Sequence, residues 1–444
     1  MDMKQFICLI IVAFLLSSCT ATGPSTSTTV PTAAIPTSSA TGQKISADVL
    51  WLEANAISFD TAEPDSNIED LMPLKGLIGD AHIVALGEAT HGTHEFFQMK
   101  HRILEFLVEE MGFNTFAMEA SWPEANLIND YIHTGNGDPA QLLNGLHFWT
   151  WDTQEVLDMI QWMRAYNENP SNTSKISFFG FDMQFDQMAR DTVTQYMQQV
   201  DPQAAKPMVD DYSCIPQASA DCQMKLQAVY DWLSQHQADY TAKTSPKEFS
   251  RALQSARIVI QYRDYTSKNN NYYLRDRYMA ENVTWLLNQA GPNAKMVIWA
   301  HNGHVGMSGS GQAGGQAILQ TMGDYLRKQY GNQMVVFGFL FYQGSFNAFG
   351  VTWLQTFSVD PPSPDSYEAF FHQASLPCFF LDLRQVKVGA PASDWLLTPH
   401  PFRLIGAEYT PYNLQLSLET AALAKVFDVA IYFENTSPSL LLNK

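Results

Sequence analysis

The sequence predicts an α/β fold, in which a central, mostly parallel sheet is flanked by helices and carries an inserted helical subdomain. Short apolar runs typical of buried strands alternate with amphipathic helical patterns in the first half of the chain. Similar runs return towards the C-terminus. Between the two groups, residues 186–290 are helical in pattern without a convincing strand. Such a stretch is far longer than a crossover connection needs, so it predicts an insertion beside the sheet.

The predicted strands share a run of aliphatic, β-branched or aromatic residues bounded by glycine or polar residues. They are residues 82–87, 114–118, 175–180, 294–300, 334–341, 377–383 and 426–433. Helices are expected at 47–56, at 68–78 before Gly79, and at 93–111 before Gly112. The first strand, the third of these helices and the second strand form a predicted right-handed crossover, which makes those two strands parallel neighbours.

Composition narrows the class of protein. The chain has 444 residues, of which 46% are hydrophobic, and this is enough for a large core in one big domain or two. The formal net charge is −19 and no cluster of lysine and arginine opposes it locally. A field of that sign repels phosphate backbones, which argues against a nucleic-acid partner.

The N-terminus has the features of an export signal. Lys4 precedes an apolar run at residues 6–16 that is too short to span a bilayer, and Leu-Ser-Ser-Cys follows at 16–19. These last residues resemble a bacterial lipobox, so residues 1–18 are predicted to be a lipoprotein signal peptide and Cys19 to be lipidated. The expected location is the cell envelope, with the protein membrane-anchored and facing away from the cytoplasm. The alternative is an ordinary cleaved signal peptide with an incidental cysteine.

Residues 19–47 are rich in Thr, Ser and Pro and are predicted to be a flexible tether, and 48–444 to be the folded domain. Export permits disulfides. Cys214 and Cys222 are close enough in sequence to pair, whereas Cys378 lies in an apolar strand and is expected to be a buried free thiol.

Polar residues follow several predicted strands at the edge where α/β folds bind ligands. Glu88 and His91 follow the first strand, Glu119 the second, and His301 and His304 a later one. An imidazole held between carboxylates suits a general base that activates water. Each residue alone is also compatible with a helix cap or a satisfied loop. Their convergence on one edge favours a catalytic site.

Three other kinds of site are a metal site, a serine nucleophile and a dinucleotide-binding loop. His301 and His304 with a glutamate are compatible with a divalent metal, although a spacing of three in a loop is permissive rather than diagnostic. A serine nucleophile is poorly supported, because the chain has no Gly-x-Ser-x-Gly elbow. Residues 309–314 fit the dinucleotide glycine pattern but begin well after the preceding strand, so a mobile loop beside the site is favoured.

Four segments carry a family resemblance. In order, they are Gly-Glu-Ala-Thr-His-Gly at 87–92, Glu-Ala at 119–120, Arg-Asp-Arg-Tyr-Met-Ala-Glu-Asn at 275–282, and Trp-Ala-His-Asn-Gly-His at 299–304. Together they resemble the motifs of the erythromycin esterase family, and the resemblance covers essentially residues 48–435.

The resemblance implies hydrolysis of a cyclic carboxylic ester by water, without a covalent enzyme intermediate, a cofactor or an obligatory metal. His91 matches the general base, and Glu88 and Glu119 are the residues expected to shape it and the water. The other residues implied at the cleft are expected to bind substrate: His301, His304, Arg275, Arg277 and Lys100. Of these, the two arginines match the family's arginine motif and are expected to be orienting or oxyanion-side cations. For the two arginines, a salt bridge on a helix face is an equal alternative.

Two features of this sequence differ from those expected of the macrolide esterases in the family. Those enzymes favour arginine nine residues after the base, whereas this chain has Lys100, and the lipoprotein signal differs from cytosolic resistance enzymes. The sequence thus indicates an exported, lipid-anchored hydrolase of a small-molecule ester or lactone, with a macrolide-type lactone and a response to antibiotic as candidates. The alternatives are a non-catalytic ligand-binding envelope lipoprotein and a metal-dependent hydrolase. The oligomeric state stays open.

Overall fold

A nine-stranded sheet lies at the centre of the computed structural model, which describes residues 46–215, 220–308 and 320–443. A separate pair of strands forms a second, small sheet. The strands are β1 (Ala56–Ser58), β2 (Ile83–Leu86), β3 (Thr115–Ser121), β4 (Ser177–Asp182), β5 (Met296–Trp299), β6 (Met334–Phe349), β7 (Leu354–Val359), β8 (Cys378–Asp382), β9 (His400–Arg403), β10 (Leu418–Ala421) and β11 (Val429–Thr436).

The middle of the large sheet is parallel. Neighbouring strands run in the order β11-β6-β2-β5-β3-β4, and each pair in this series is parallel. β8 is antiparallel to β11, β1 to β8, and β7 to the end of β6. The predicted fold class, a mostly parallel sheet flanked by helices, is therefore confirmed.

Helices occur before, between and after the strands. The first group is α1 (Ala47–Asn55), α2 (Leu74–Ile78), α3 (His94–Met111), α4 (Trp122–Thr134), α5 (Pro139–Asn144) and α6 (Gln154–Glu168). The long segment between β4 and β5 holds α7 (Gln187–Val200), α8 (Pro202–Tyr212), α9 (Ala220–Gln235), α10 (Gln237–Lys243), α11 (Pro246–Ser267) and α12 (Tyr272–Ala290). The last group is α13 (Asn302–Val305), α14 (Met322–Tyr330), α15 (Tyr367–His372), α16 (Ser393–Leu396) and α17 (Leu423–Val426).

The sheet is buried on both faces. Along β2, Ile83 and Ala85 pack into one hydrophobic cluster and Val84 and Leu86 into the other, because successive strand side chains point to opposite faces. The first cluster includes the apolar residues of α7 to α12, and the second includes those of α3 and α6. Burial on both faces explains why these strands are continuously apolar in the sequence.

The expectation that β2 and β3 are neighbours is wrong. β5 lies between them and is parallel to both, with Met296–Trp299 opposite Ile83–Leu86 on one edge and opposite residues 115–118 on the other. The connecting helix α3 has 18 residues and is about 27 Å long, so it can cross over a strand without adjacent pairing. The loop after β5 therefore lies between the loops after β2 and β3.

Other boundaries differ for local reasons. The helix expected at 68–78 is confined to Leu74–Ile78 after a short 3₁₀ turn, because Pro73 has no amide hydrogen to continue a helical ladder. β6 extends beyond 341 to Phe349, where it pairs with β7 in a partly exposed hairpin. The strands β1, β7, β9 and β10 were missed because they are short or lack a clean apolar pattern.

The cysteine predictions are confirmed in part. Cys214 and Cys222 form a disulfide. Cys378 is a free thiol, but it is partly exposed rather than buried, since it is the first residue of β8. Its Sγ lies 3.2 Å from the carbonyl oxygen of Phe59.

Some sequence predictions fall outside the described residues. These are the signal peptide at 1–18, the lipidated Cys19, nearly all of the tether, and the glycine-rich segment at 309–314. Within the described ranges, no helix combines the length and apolar composition that crossing a membrane requires.

A β-bulge sets the direction of Glu119. The pairing of β3 with β4 shifts between Met118, opposite Gly180, and Ser121, opposite Asp182, so two residues of β3 face one residue of β4. A bulge of this kind bends the strand and re-aims a side chain. Gly180 permits it, because an added Cβ at this position would lie 2.2 Å from the carbonyl oxygen of Ala120.

We expect Gly180→Ala to lower the free energy of unfolding by about 1–3 kcal/mol, since backbone atoms must move to admit the methyl group. The control is Gly76→Ala in α2, where an added Cβ meets nothing within 4 Å. That change should be neutral or stabilise by about 0.5–1 kcal/mol. Urea unfolding of both variants measures the difference, and equal stabilities would contradict the constraint at Gly180.

Candidate active site

The parallel order of the strands brings polar residues from four strand ends to one edge. Glu88 follows β2, His301 follows β5, Glu119 lies at the bulge of β3, and Asp182 ends β4. Since β2, β5, β3 and β4 are consecutive neighbours, their C-terminal ends form one continuous crevice. The first turn of α12 adds Arg275 from the helical segment.

Glu88 is fully buried and makes three contacts. Its Oε1 lies 2.6 Å from Nδ1 of His91, and its Oε2 accepts hydrogen bonds from Nζ of Lys100 and, at 2.9 Å, from Nε1 of Trp299. Burial raises the pKa of Glu88, but Lys100 and His91 outweigh it and hold the pKa below its ordinary value. Glu88 is therefore a carboxylate that accepts a hydrogen bond from Nδ1–H of His91, and this fixes the histidine tautomer.

His91 presents its other nitrogen to the cleft. Its ring lines the cavity, edge-on to Trp151 at 5.7 Å and 4.9 Å from the ring of His301. Nε2 makes no hydrogen bond to any residue in the described ranges. An imidazole with Nδ1 bonded to a carboxylate and Nε2 open has the arrangement of a general base.

The turn that carries His91 is fixed by strand β6 and the C-terminal segment. The carbonyl oxygen of Gly92 accepts hydrogen bonds from the backbone nitrogens of Asn347 at 2.9 Å and Ser439 at 3.0 Å. Only glycine fits at position 92, because a Cβ would lie 2.1 Å from the carbonyl oxygen of Asn347. The base is thus held by backbone contacts as well as by Glu88.

Glu119 is the second buried carboxylate. Oε1 accepts from Nη2 of Arg275 at 2.6 Å and lies 3.2 Å from Nε2 of His304, and Oε2 accepts from the backbone nitrogen of His301 at 3.0 Å. Burial raises the pKa of Glu119, but His304 and Arg275 together hold it well below its usual range. Glu119 therefore stays ionised and organises the loop after β5.

Arg275 joins α12 to the strand ends. It donates to Glu119 and, through Nε and Nη2, to Asp182, with the shortest of those contacts at 2.7 Å. Burial lowers the pKa of Arg275, but these two carboxylates more than offset it and place the pKa well above its ordinary value. The guanidinium is a permanent cation on the wall of the cleft.

The two histidines of the β5 loop differ in charge. Burial lowers the pKa of His304, but Asp276 and Glu119 raise it to about 9, and its Nδ1 lies 2.6 Å from Asp276. His301 has no carboxylate on its ring, and burial lowers its pKa to about 3. Its Nδ1 accepts from the nitrogen of Gly303 and its Nε2 donates to the carbonyl oxygen of Ile405. His304 is therefore cationic and His301 neutral.

Six of the eight predicted site residues surround the cleft or contact one another there: His91, Glu88, Glu119, His301, His304 and Arg275. Lys100 does not reach it. Its fully buried ammonium lies behind Glu88 and 4.3 Å from the ring centre of Trp299, so it supports Glu88 and is not placed to contact substrate. Burial lowers the pKa of Lys100 to about 8, against the opposing effect of Glu88.

Arg277 lies outside the site. Its side chain is 44% exposed on the outer face of α12, 3.5 Å from Glu281 and above the ring of Tyr278. For this residue the structure shows the alternative, a salt bridge on a helix face. Residues two positions apart on a helix point in nearly opposite directions, so Arg275 and Arg277 cannot both face one cleft.

Sequence reasoning missed several residues of the site. Asp182 and Asp276 are not among the predicted site residues, although both are fully buried and carry the ion network. Trp151 and Tyr272 line the cleft from outside the strand ends. Asp182 had a usable signal, because it ends a strand beside the others; nothing in the local pattern pointed to the two aromatic residues.

The cleft has a volume of about 520 Å³. It is lined by His91, Glu119, Phe148, Thr150, Trp151, Gln184, Tyr272, Arg275, His301, Gly303, His304, Leu404, Gly406 and Ala407. Within the described ranges, no group of three or more His, Cys, Asp or Glu side chains is arranged to hold a metal ion. The ring nitrogens of His301 and His304 are all engaged with protein groups, so the proposed ligand pair is not aimed at a common point in the cleft.

Comparison with known proteins identifies the family. The model of the erythromycin esterase family matches residues 108–436. Erythromycin esterase type II from Escherichia coli is 28% identical over 329 residues, which cover 66% of this chain and 77% of that protein. A putative hydrolase of Bacillus subtilis, YbfO, is 24% identical over 426 residues, covering 88% and 92% of the two chains.

A solved structure shows the same fold. The crystal structure of a Bacillus cereus protein superposes with a TM-score of 0.78 at 28% identity, covering 88% of this chain and 98% of that one. The family match extends over well more than half of the chain and includes the segments that supply Glu119, Arg275, His301 and His304. The chain therefore belongs to the erythromycin esterase family, a family of hydrolases.

Proposed function

We propose that this protein hydrolyses a carboxylic ester or lactone, with His91 as the general base that activates water. The observation that carries the proposal is the hydrogen bond from Nδ1 of His91 to the buried carboxylate of Glu88, which keeps the ring proton on Nδ1 and leaves Nε2 open to the cleft. A water molecule bonded to Nε2 would be both positioned and made nucleophilic. The matched family, a family of hydrolases, supports this chemistry.

The reaction proceeds in two steps. Water attacks the ester carbonyl carbon, its proton passes to Nε2 of His91, and the carbonyl π electrons move to oxygen to give a tetrahedral oxyanion. The carbonyl then re-forms as the bond to the alkoxy oxygen breaks, and that oxygen takes the proton from His91. The products are an acid and an alcohol, and for a lactone they are one ring-opened hydroxy acid. Glu88 stabilises the imidazolium between the two steps.

The cationic side of the cleft suits the developing charge. Arg275 and His304 are buried cations next to Glu119 and face the same cavity as His91. In a site of low dielectric constant, fixed charges and dipoles stabilise an oxyanion more than they do in water. Glu119 and Asp182 hold these cations in place, so their positions do not depend on the substrate.

Within the esters, we propose a macrolide-type lactone as the substrate. The name of the Escherichia coli relative, an erythromycin esterase, supports a macrolide-type lactone and a role in response to antibiotic. Phe148, Trp151 and Leu404 give the cleft apolar walls against which an apolar lactone or acyl group can pack. A metal-dependent hydrolase is less well supported, because the nitrogens of His301 and His304 are already engaged.

We also propose export and anchoring through a lipidated Cys19. Support comes from Lys4, the apolar run at 6–16 and the lipobox-like Leu-Ser-Ser-Cys. Helix α1 begins at Ala47, so a tether of Thr, Ser and Pro would separate the anchor from the fold.

His91→Asn should lower turnover of any accepted ester by a factor of about 10²–10⁴ with little change in folding, because the base is lost from the edge of the core. The control is His133→Asn, at an exposed position in the last turn of α4. A panel of lactones and simple esters supplies the assay, with metal content measured on the same samples. A His91→Asn protein with the parent rate would remove His91 as the general base, and a parent protein that hydrolyses none of the esters would favour the ligand-binding alternative.

Lys100→Met should destabilise the fold by about 3–5 kcal/mol, because Glu88 keeps a buried charge without its cation. Burial, which raises the pKa of Glu88, is then no longer opposed by Lys100. In the folded variant Glu88 therefore takes up a proton at pH values where Glu88 of the unfolded chain is still ionised. Proton uptake by the folded state favours folding, so the loss of unfolding free energy relative to the parent should shrink as the pH falls from 8 to about 5.

Lys75→Met is the matched control, since Lys75 pairs with Glu110 at the surface and both side chains are more than a third exposed. It should change stability by no more than about 1 kcal/mol. Denaturant unfolding at the two pH values gives the comparison. Equal, pH-independent losses in the two lysine variants would contradict the supporting role of Lys100.

Cys19→Ala should release the protein from the membrane fraction or leave it with its signal peptide attached, because the lipid attachment site is removed. Fractionation of expressing cells, with the N-terminus read by mass spectrometry, tests this. A Cys19→Ala protein that stays in the membrane with its signal removed would disprove the lipid anchor.

A further inference from the structure

The proposed reaction requires a hydrogen-bond donor for the oxyanion, and most donors on the wall of the cleft are already committed. Nε and Nη2 of Arg275 bond to carboxylates. Its Nη1 lies 3.0 Å from Nε2 of His304 and keeps donor capacity, because a protonated histidine cannot accept a hydrogen bond from it. His304 and His301 have both ring nitrogens engaged. Nε1 of Trp151 donates to the carbonyl oxygen of Glu119.

Tyr272 offers a neutral donor on the same wall. It is the first residue of α12, and its ring stacks on His304 with the centroids 4.8 Å apart and the planes at 19°. Its hydroxyl makes no hydrogen bond to any residue that the structure describes, although the side chain lines the cleft. An unsatisfied hydroxyl in a cleft is available to a ligand.

The hydroxyl lies near His301. A Cβ placed on Gly303 would lie 3.1 Å from the hydroxyl oxygen of Tyr272 and 3.2 Å from Nδ1 of His301, so the two groups flank the same small gap. The His301 ring is also 4.9 Å from the His91 ring. Since His91, His301 and Tyr272 line one cleft, an ester bound there can contact both the base and the hydroxyl.

We propose that the hydroxyl of Tyr272 donates a hydrogen bond to the carbonyl oxygen of the ester and, more strongly, to the oxyanion that water attack creates. This assignment rests on the proposed ester hydrolysis. The hydrogen bond strengthens as the π electrons move to oxygen, and it weakens again when the carbonyl re-forms; the phenol keeps its proton throughout. Tyr272 is thus a catalytic residue that none of the motif segments contains.

The environment favours a donor over a phenolate. Although 41% of Tyr272 is exposed, the partial burial of its hydroxyl raises the pKa of the phenol, and Asp276 and Glu119 raise that pKa further. The stack on His304 fixes the ring, so the donor is positioned before substrate binds. Preorganised donors of this kind account for much of the oxyanion stabilisation in acyl-transfer enzymes.

Thr150 offers the competing assignment. Its hydroxyl also belongs to a residue that lines the cleft, and the next residue in the chain, Trp151, packs its ring against that of His91. Gln184 lines the cleft too, but its side-chain amide already donates to Asp182 at 2.8 Å. A comparison of Tyr272→Phe with Thr150→Val therefore separates the two hydroxyl donors.

The experiment measures kcat and KM for an accepted ester, together with calorimetric binding of phenylphosphonate, a tetrahedral anion that resembles the oxyanion. Tyr272→Phe keeps the stack on His304 and should lower kcat by about 10²-fold with little change in KM. Its affinity for phenylphosphonate should fall by a similar factor. Tyr273→Phe, at the adjacent residue, is the control and should match the parent.

Three results would overturn the assignment: a Tyr272→Phe protein with the kcat and phenylphosphonate affinity of the parent, a larger loss in Thr150→Val, or a parent that hydrolyses esters but does not bind phenylphosphonate. In each case His91→Asn would still abolish turnover, and the proposed function would stand. If the parent neither hydrolyses any ester nor binds the anion, the proposed function fails and this assignment fails with it.

Discussion

The site depends on the full burial of Glu88. An unpaired carboxylate in such a position would cost several kcal/mol, so the surrounding elements must supply positive charge and donors. α3 contributes Lys100, β5 contributes the indole nitrogen of Trp299, and the turn after β2 contributes His91. The requirement to neutralise one charge thereby fixes the relative positions of a helix, a strand and the base.

The central position of β5 gives the site its layout. Because β5 separates β2 from β3, the loop carrying His301 and His304 lies between the two buried carboxylates. Glu119 accepts the backbone hydrogen of His301 and approaches the ring of His304, while His301 packs against His91. Had β2 and β3 been neighbours, the two glutamates would have faced each other without an intervening cation.

Much of this arrangement could be predicted, because polar residues after buried strands must gather at one edge of a parallel sheet. The direction of individual side chains could not always be predicted. Lys100 lies on the apolar stripe of α3, after Phe96 and Phe97 and before Ile103 and Leu104. The spacing of these residues therefore indicated that Lys100 is buried. The choice between a substrate contact and a support for Glu88 required the position of Trp299.

Residues from the helical segment were harder to predict. Arg275 and Arg277 share a motif, and only the orientation of α12 decides which one meets Asp182 and Glu119. Tyr272 lies in no motif and reaches the cleft because Arg275, one turn later on the same helix, is anchored to the strand ends. The position of Tyr272 therefore follows from the ion network around Arg275, and no local sequence pattern predicts that network.

Three histidines in one cleft receive different roles from the carboxylates around them. His91 has one carboxylate on Nδ1 and an open Nε2, which is the arrangement of a base. His304 lies between Asp276 and Glu119 and is held as a cation, whereas His301 has only carbonyl and amide partners and stays neutral. Proton transfer is thereby confined to the one ring with a free nitrogen, since His304 has no free lone pair and His301 disfavours a charge. The number and placement of the carboxylates, more than the histidines themselves, therefore determine where a proton can move in this site.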